Sequence, residues 1–373
     1  MHGFDAIVVG AGIVGAACAD ELARSGMRVA VYEESETAGG GATAAGMGHL
    51  AVMDDSEAQF ALTSYSQALW RELSPQLPAS AEYLPCGSLW VAADEEELAE
   101  VHRKFRFYSQ RNLPVEVLDP SQLAEAEPNL KPGLAGGLRM PADCVCYPPC
   151  AARFLLDRAC LAGAKVFLGC SAEQVSDAGL RLARGDEVAA GAVVMATGAS
   201  ICRTIPGLPV APRKGHLVIT DRYPGFLRHQ LIELGYLKSA HSSTADSVAF
   251  NAQPRVTGQV LIGSSRQFGV TDGAVEPQIL GWMLRRAIEY LPALSGLSAI
   301  RSWTGFRAAT PDKLPLIGRC PGFERVYLAT GHEGLGISTS LATARLLADE
   351  LLQRTSAIPR QPYAPERSFA GHA

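Results

Sequence analysis

The sequence has 373 residues, 47% hydrophobic and 19% charged, and at roughly 150 residues per domain this length predicts two or more domains with sizeable cores. Its 33 basic and 38 acidic residues give a formal charge of -5 without a large basic block, which argues against a nucleic acid partner. No apolar run reaches the roughly 18 to 20 residues of a membrane-spanning helix, no signal peptide precedes the first strand, and the nine cysteines are scattered, so we expect a cytoplasmic protein without a membrane span.

The chain opens with a strand, helix and strand pattern. Residues 4–9 form an apolar run that ends at Gly10, as in a strand buried on both faces of a parallel sheet. An apolar helical stripe follows, and residues 28–32 predict the next strand. Two later apolar runs, residues 192–196 and 326–329, resemble the first strand and are expected in the same sheet, and residues 338–352 predict a closing helix.

Segments richer in aromatic residues, proline and glycine interrupt this pattern and predict a second domain. The predicted fold class is α/β: a doubly wound, Rossmann-like domain plus a discontinuous domain with a mixed sheet and flanking helices. We expect the first domain in residues 1–75, 145–205 and 310–354, and the second in residues 76–144 and 206–309. Within the second, residues 94–110 predict an exposed helix. Residues 355–373 are expected to be an extended C-terminal tail.

A glycine motif between the first strand and helix predicts a dinucleotide site. Gly10, Gly12 and Gly15 fit the pattern G-x-G-x-x-G, in which the first glycine makes a tight turn, the second admits a pyrophosphate and the third allows close packing of helix on strand. Amide groups at the helix N-terminus then face an anion. Glu33 ends the second strand, roughly 20 residues further on, where an acidic side chain accepts hydrogen bonds from a ribose.

Three further segments favour a flavin over a nicotinamide cofactor. They are the small-residue loop 39–46, the turn at 196–198 and the glycine-rich loop 331–336. Together with the first motif, they resemble the D-amino-acid oxidase (DAO) family of FAD enzymes over nearly the whole chain. The segment 331–339 is similar to the flavoprotein subunits of D-hydroxyproline dehydrogenase, hydrogen cyanide synthase and opine oxidases, and also to glycine oxidase.

The resemblance implies FAD as the cofactor. It implies that the backbone of Val175 contacts adenine, and that the loop 331–336, backed by the dipole of the following helix, stabilises negative charge on the flavin ring. The residues expected at the cofactor are Gly10, Gly12, Ile13, Val14, Gly15, Glu33, Gly41, Ala42, Thr43, Gly46, Met47, Val175, Thr197, Gly198, Arg307, Gly331, His332, Glu333, Gly334, Leu335 and Gly336.

The resemblance also implies that Arg307 grips the α-carboxylate of the substrate. A guanidinium stays charged when partly desolvated and offers two parallel donors to a carboxylate. Relatives usually have proline after this arginine, whereas this chain has Ala308, so the local backbone is expected to differ.

Two further residues are candidates for the catalytic site. His49 follows the small-residue loop and is a candidate for substrate binding or proton handling, with a structural role as the alternative. Tyr236 is a candidate for covering the substrate, with a core position as its alternative. Cys144, Cys146 and Cys150 lack the usual ligand spacing, so no metal is expected, and their role stays open.

The expected function is oxidation of the C–N bond of an amino or imino acid, by hydride transfer from Cα to flavin N5. A secondary amine such as D-hydroxyproline or proline is favoured, with this chain as the catalytic subunit of a heteromeric dehydrogenase that passes electrons to a partner redox subunit. The alternatives are a self-sufficient glycine or D-amino-acid oxidase that uses oxygen, and a non-catalytic flavin electron-transfer subunit. The sequence leaves open the substrate side chain, the electron acceptor and any covalent attachment of FAD.

Overall fold

The computed structural model describes residues 3–235 and 246–369. In these residues the α-helices are α1 Ile13–Arg24, α2 Gly41–Ala44, α3 Glu57–Leu73, α4 Glu95–Ser109, α5 Pro120–Ala126, α6 Pro148–Leu161, α7 Ile201–Thr204, α8 Pro277–Tyr290 and α9 Gly336–Leu351. The strands are β1 Phe4–Val9, β2 Val29–Tyr32, β3 His49–Leu50, β4 Ser88–Ala92, β5 Glu116–Leu118, β6 Gly136–Met140, β7 Cys144–Val145, β8 Lys165–Phe167, β9 Ala172–Ser176, β10 Gly179–Leu182, β11 Glu187–Met195, β12 Ala211–Arg222, β13 Gln230–Glu233, β14 Ser247–Pro254, β15 Gln259–Arg266, β16 Ala299–Ala309, β17 Leu316–Arg319 and β18 Val326–Thr330.

The first sheet is mostly parallel and has the order β17-β18-β11-β1-β2-β8. Strands β1, β2, β8, β11 and β18 run parallel, and β17 adds an antiparallel edge. The apolar runs predicted from the sequence form its centre because both faces of these strands are covered. The predicted α/β, Rossmann-like fold class is confirmed.

Different elements cover the two faces of this sheet. Helices α1, α6 and α9 pack together on one face, in one apolar cluster with Trp70 of α3. The opposite face contacts the β9–β10 hairpin and helix α7 through residues that include Leu180 and Ile201.

The second sheet is mixed, in the order β16-β12-β15-β14-β13-β4-β6-β5. Only the β13–β4 pair is parallel among its described strands. Helix α8 packs on β14 and β15, where Phe250 stacks on Tyr290. The predicted helix is present as α4, and the Asp94 side chain caps its first turn. Only one of its faces is exposed, because Glu97, Val101, Lys104 and Tyr108 are buried.

The two sheets follow the chain path that the sequence predicts. Every described strand of the first sheet lies within residues 1–75, 145–205 and 310–354, and every strand of the second within 76–144 and 206–309. The domain boundaries themselves stay a prediction. The C-terminal segment packs more closely than an extended tail would, because Tyr363 is buried and donates to Ala58 O, while Arg367 pairs with Asp312.

In the part of the chain that the structure describes, no helix combines the length and apolar character needed to cross a bilayer.

We expect Gly15→Ala to destabilise the first sheet. A Cβ at Gly15 would lie 1.9 Å from the carbonyl oxygen of Gly10, a backbone atom that cannot move without opening the turn. Overpacking of this kind lowers the free energy of unfolding by roughly 1 to 3 kcal/mol or more. Thermal or denaturant unfolding of the purified protein measures the effect.

Gly281→Ala in helix α8 is the matched control, because its added Cβ meets its nearest atom at an ordinary 3.7 Å. Equal unfolding midpoints for Gly15→Ala and Gly281→Ala would show that the contact at Gly10 is not tight.

Candidate active site

A cavity of about 790 Å³ lies between the two sheets. Its walls include the carboxyl ends of β1, β2 and β18, and one face of the second sheet. Ligands of open parallel sheets bind at this edge because the loops and helix N-termini that follow the strands meet there. The cavity is therefore the candidate active site.

The glycine turn after β1 shapes one end of the cavity. Gly10 has a φ of 103°, and a Cβ there would lie 2.6 Å from Ala196 O, so only glycine fits. Gly12 is the N-cap residue of α1, and because it is glycine it supplies no side chain to cap the helix. The Ile13 amide donates to the Thr43 hydroxyl at 2.9 Å, which joins the turn to the small-residue loop. The remaining first-turn amides suit a pyrophosphate.

Glu33 lies where the sequence predicts it. Its carboxylate accepts from the Ala11 amide at 2.6 Å and from the Ser35 amide at 3.0 Å, and the residue lines the cavity. The two amides fix the carboxylate beside the glycine turn. This is the position needed for hydrogen bonds from a ribose.

The small-residue loop contacts the strand that carries Arg307. A Cβ at Gly305 of β16 would lie 2.2 Å from the Ala45 Cβ. The loop and the strand can therefore approach this closely only because Gly305 has no side chain. Gly41, Ala42, Thr43, Gly46 and Met47 all line the cavity. The contact brings the predicted cofactor loop and the predicted substrate residue to one space.

The loop before α9 presents backbone to the cavity. The His332 ring points away to Thr343, with Nε2 and Oγ1 3.0 Å apart, and burial lowers the His332 pKa to about 3, so the ring is neutral at physiological pH. The Glu333 amide donates to Ala308 O at 2.8 Å. No side chain caps α9, so its N-terminal amides and dipole fit the electron-rich edge of a flavin ring.

Arg307 crosses the second sheet beneath this loop. Its Nη1 donates to Ser265 O at 3.0 Å, and a Cβ at Gly215 would lie 2.5 Å from Nη1, so glycine leaves room for the guanidinium. Burial lowers the Arg307 pKa from its ordinary value; Arg213 lowers it further, while Glu333 raises it. Ala308, which stands where relatives usually have proline, pairs with Pro212, so β16 continues regularly past Arg307.

Positive charge exceeds negative charge around Arg307. Arg213 pairs with Glu333 at 2.5 Å, whereas Arg266 also lines the cavity. Burial lowers the Arg266 pKa to about 10, and Arg307 adds to the shift by repulsion. Two neighbouring guanidiniums that repel each other favour an anion between them.

His49 lines the cavity with a neutral ring. Burial lowers its pKa to about 3, so the ring is uncharged at every pH well above 3. Its Nε2 is buried and has no hydrogen-bond partner among residues 3–235 and 246–369. Of the two roles expected for His49, hydrogen bonding to a ligand fits this environment, and holding a proton does not.

Some predicted residues lie away from the cavity wall. Val175 does not line it: Val175 pairs with Leu180 in the β9–β10 hairpin, and the chain passes the cavity earlier, at Cys170 and Ala172. Gly15 and Gly331 lie behind the wall and set the backbone path. Tyr236 lies outside the described residues. The other predicted cofactor residues line the cavity, namely Gly10, Gly12, Ile13, Val14, Glu33, Gly41, Ala42, Thr43, Gly46, Met47, Thr197, Gly198, Arg307, His332, Glu333, Gly334, Leu335 and Gly336.

Sequence reasoning missed polar residues on the second sheet. Gln230, Asn251 and Arg266 line the cavity, and Gln253 lies beside His49. One signal was present: Asn251 and Gln253 alternate with apolar residues in β14, which places two amides on one face of a strand.

Cys144, Cys146 and Cys150 are free thiols. Cys144 and Cys146 are buried, Cys144 Sγ lies 3.1 Å from the Tyr83 hydroxyl, and burial raises the Cys146 pKa to about 12. Among the described residues, no group of three or more histidine, cysteine or acidic side chains is arranged to hold a metal.

Comparison with known proteins gives one family and consistent relatives. The DAO family profile, described as FAD dependent oxidoreductase, matches residues 5–350. Glycine oxidase of Geobacillus kaustophilus is 29% identical, over 98% of this chain and 97% of that protein, and hydrogen cyanide synthase subunit HcnC of Pseudomonas aeruginosa is 27% identical, over 98% and 96%. The crystal structure of glycine oxidase from Geobacillus kaustophilus superposes with a TM-score of 0.89 at 28% identity, covering 99% of this chain and 100% of that one.

We expect Gly12→Val to prevent FAD binding. A Cβ at Gly12 already lies 3.1 Å from the Thr43 hydroxyl, and the two methyl groups of valine extend into the space that the pyrophosphate needs. The visible flavin spectrum of purified wild type and variant measures the cofactor content. A variant that keeps full FAD content would place the pyrophosphate elsewhere, and circular dichroism confirms that the variant is folded.

Proposed function

The chain belongs to the DAO family of FAD-dependent oxidoreductases, and we propose that it oxidises the Cα–N bond of a small amino or imino acid, with a secondary amine such as D-hydroxyproline or proline as the favoured substrate. The similar protein of Geobacillus kaustophilus is named glycine oxidase, an oxidase of an amino acid, which supports this class of substrate. When bound, FAD supplies the two-electron acceptor for this chemistry.

The observation that carries the proposal is the Arg307 guanidinium in the cavity. Gly334 lies on one side of the Arg307 side chain, where a Cβ would be 3.4 Å from Nε, and Gly215 lies on the other, where a Cβ would be 2.5 Å from Nη1. The guanidinium is thus held between two backbone segments, with one donor already used by Ser265 O. Such a group binds a carboxylate in one orientation, which fixes the adjacent Cα.

The same charge acts on the substrate amine. Oxidation of a C–N bond needs the nitrogen lone pair, so the amine must lose its proton first. Arg307 and Arg266 disfavour a second positive charge nearby and lower the pKa of a bound ammonium group. Because His49 stays neutral with a pKa of about 3, we assign the proton to solvent rather than to His49.

We further propose that this chain is the catalytic subunit of a heteromeric dehydrogenase. The support is the segment 331–339, together with a relative named as a subunit of hydrogen cyanide synthase. The similarity to glycine oxidase favours a second candidate, an oxidase that returns electrons to oxygen. The third candidate is a non-catalytic flavin subunit, whose flavin an amino or imino acid would not reduce.

We expect D-proline or cis-4-hydroxy-D-proline to bleach the flavin of the purified, FAD-loaded protein without oxygen. Arg307→Ala should lower kcat/KM while the FAD content is kept. Loss of a charge-assisted pair of hydrogen bonds costs roughly 2 to 5 kcal/mol, which corresponds to a fall of roughly 30-fold to several thousand-fold. Arg307→Lys should recover part of the loss.

Unchanged kinetics in Arg307→Ala would remove Arg307 from the site. If no amino or imino acid in a panel with glycine and sarcosine bleaches the flavin, the chain is an electron-transfer subunit.

We expect the substrate-reduced chain alone to react with oxygen more slowly than it turns over with a partner redox subunit. Rapid mixing of the reduced protein with aerated buffer, with and without a co-purified partner, measures both rates. Reoxidation as fast as turnover, with one peroxide per substrate, would instead support the oxidase.

A further inference from the structure

A group of amide side chains forms part of the cavity wall on the second sheet. Gln230 is fully buried, yet neither its Oε1 nor its Nε2 has a hydrogen-bond partner in the described parts of the chain. Oδ1 of Asn251 also has no partner there, and the amide of Gln253 has none apart from the His49 ring beside it. We call Gln230, Asn251 and Gln253 the amide wall.

Strand pairing explains why these side chains meet. The antiparallel pairs Leu231↔Ala252 and Ile232↔Asn251 place Gln230 of β13 beside Gln253 of β14. Asn251 and Gln253 are two residues apart and share one face of the sheet. Gln253 interacts with the His49 ring, and His49 Nε2 has no geometrically good hydrogen bond within residues 3–235 and 246–369.

Buried polar atoms without a hydrogen-bond partner lower the free energy of unfolding. Each buried donor or acceptor without a partner costs about 1 to 3 kcal/mol, so proteins rarely keep several in one place. A cavity-lining group of this kind is explained when a ligand supplies the missing partners. Gln230, Asn251 and His49 do line the cavity, and Gln253 interacts with His49 without lining it.

The amide wall and Arg307 lie on the same sheet, within the length of a small amino acid. The guanidinium reaches Ser265 of β15, and Gly263, two residues back on the same strand, pairs with Asn251. One interstrand spacing and one two-residue step together place the backbone of Asn251 about 8 Å from that of Ser265, the residue that Arg307 contacts. A small amino acid whose carboxylate binds Arg307 spans such a gap with its side chain and one hydrogen bond at each end.

The chemistry of the wall selects the type of substituent. Amide groups and a neutral imidazole both donate and accept hydrogen bonds and carry no charge. They satisfy a hydroxyl or carboxamide, whereas a hydrocarbon would leave them unpartnered.

We propose that Asn251 and Gln230, backed by Gln253 and His49, form a subsite for an uncharged hydrogen-bonding substituent of the substrate, such as a hydroxyl or a carboxamide. The substrate's being an amino or imino acid rests on the proposed function, but the subsite itself does not. It makes the enzyme prefer substrates with a polar side chain over apolar ones of the same size.

Binding of two matched carboxylates that cannot be oxidised as amines tests the subsite. Succinamate carries a carboxamide, and 4-methylvalerate has the same shape with methyl groups instead. Calorimetry on the FAD-loaded protein should show succinamate binding at least about 10-fold more tightly, because it supplies partners that the hydrocarbon lacks. Asn251→Leu and Gln230→Met, which keep the side-chain shapes, should reduce this preference to near 1.

Gln278→Met, an exposed position on α8, is the matched control and should keep the preference. Equal affinities for the two carboxylates in the wild type, or a preference that survives both wall substitutions, would overturn the subsite.

The unfolding midpoint gives a readout that needs no ligand. Removing unpartnered amides should raise the midpoint of the FAD-loaded Asn251→Leu and Gln230→Met proteins by about 1 to 2 °C. A lowered midpoint in both would show that the amides belong to a satisfied structural network and would overturn the proposal. If succinamate is preferred but no amino or imino acid bleaches the flavin, the proposed function fails and the subsite stands.

Discussion

The site depends on one half-buried positive charge, Arg307, at the junction of the two sheets. Among the described residues, Arg307 has a single hydrogen bond, to Ser265 O, and Glu333, the carboxylate that raises its pKa, is paired with Arg213. Burial lowers the Arg307 pKa, which means that the charged form is held at a cost. A bound carboxylate would offset this cost, and Gly215 leaves room for the guanidinium, because a Cβ there would lie 2.5 Å from Nη1.

Each sheet contributes a different part of the chemistry. The parallel sheet supplies the glycine turn, Glu33 and the N-termini of α1 and α9, all of which are backbone or hydrogen-bonding groups suited to a dinucleotide and a flavin ring. The mixed sheet supplies side chains: Arg307, Arg266 and the amide wall. The chain passes between the sheets several times, so several crossovers rather than one loop hold the two sides of the cavity relative to each other.

The sequence was most informative where local pattern decides the structure. The buried strands, the glycine turn and the terminal helix are short-range features, so their positions were predicted to within a few residues. Arg307, which its local motif singles out, lines the cavity. The amide wall was missed because it depends on the pairing of β13 with β14, and the point at which β9 leaves the cavity, on which the Val175 prediction depends, is likewise not encoded locally. The packing of Tyr363 on Ala58 joins residues far apart in the chain and left no local signal.

A crystal structure of the FAD-loaded protein with pyrrole-2-carboxylate, a planar analogue of proline, tests the central claim most directly. The account predicts both carboxylate oxygens within about 3.2 Å of the Arg307 guanidinium nitrogens, with the ring directed toward Asn251 and Gln230. A carboxylate bound away from Arg307, with that guanidinium still contacting only protein groups, would contradict it.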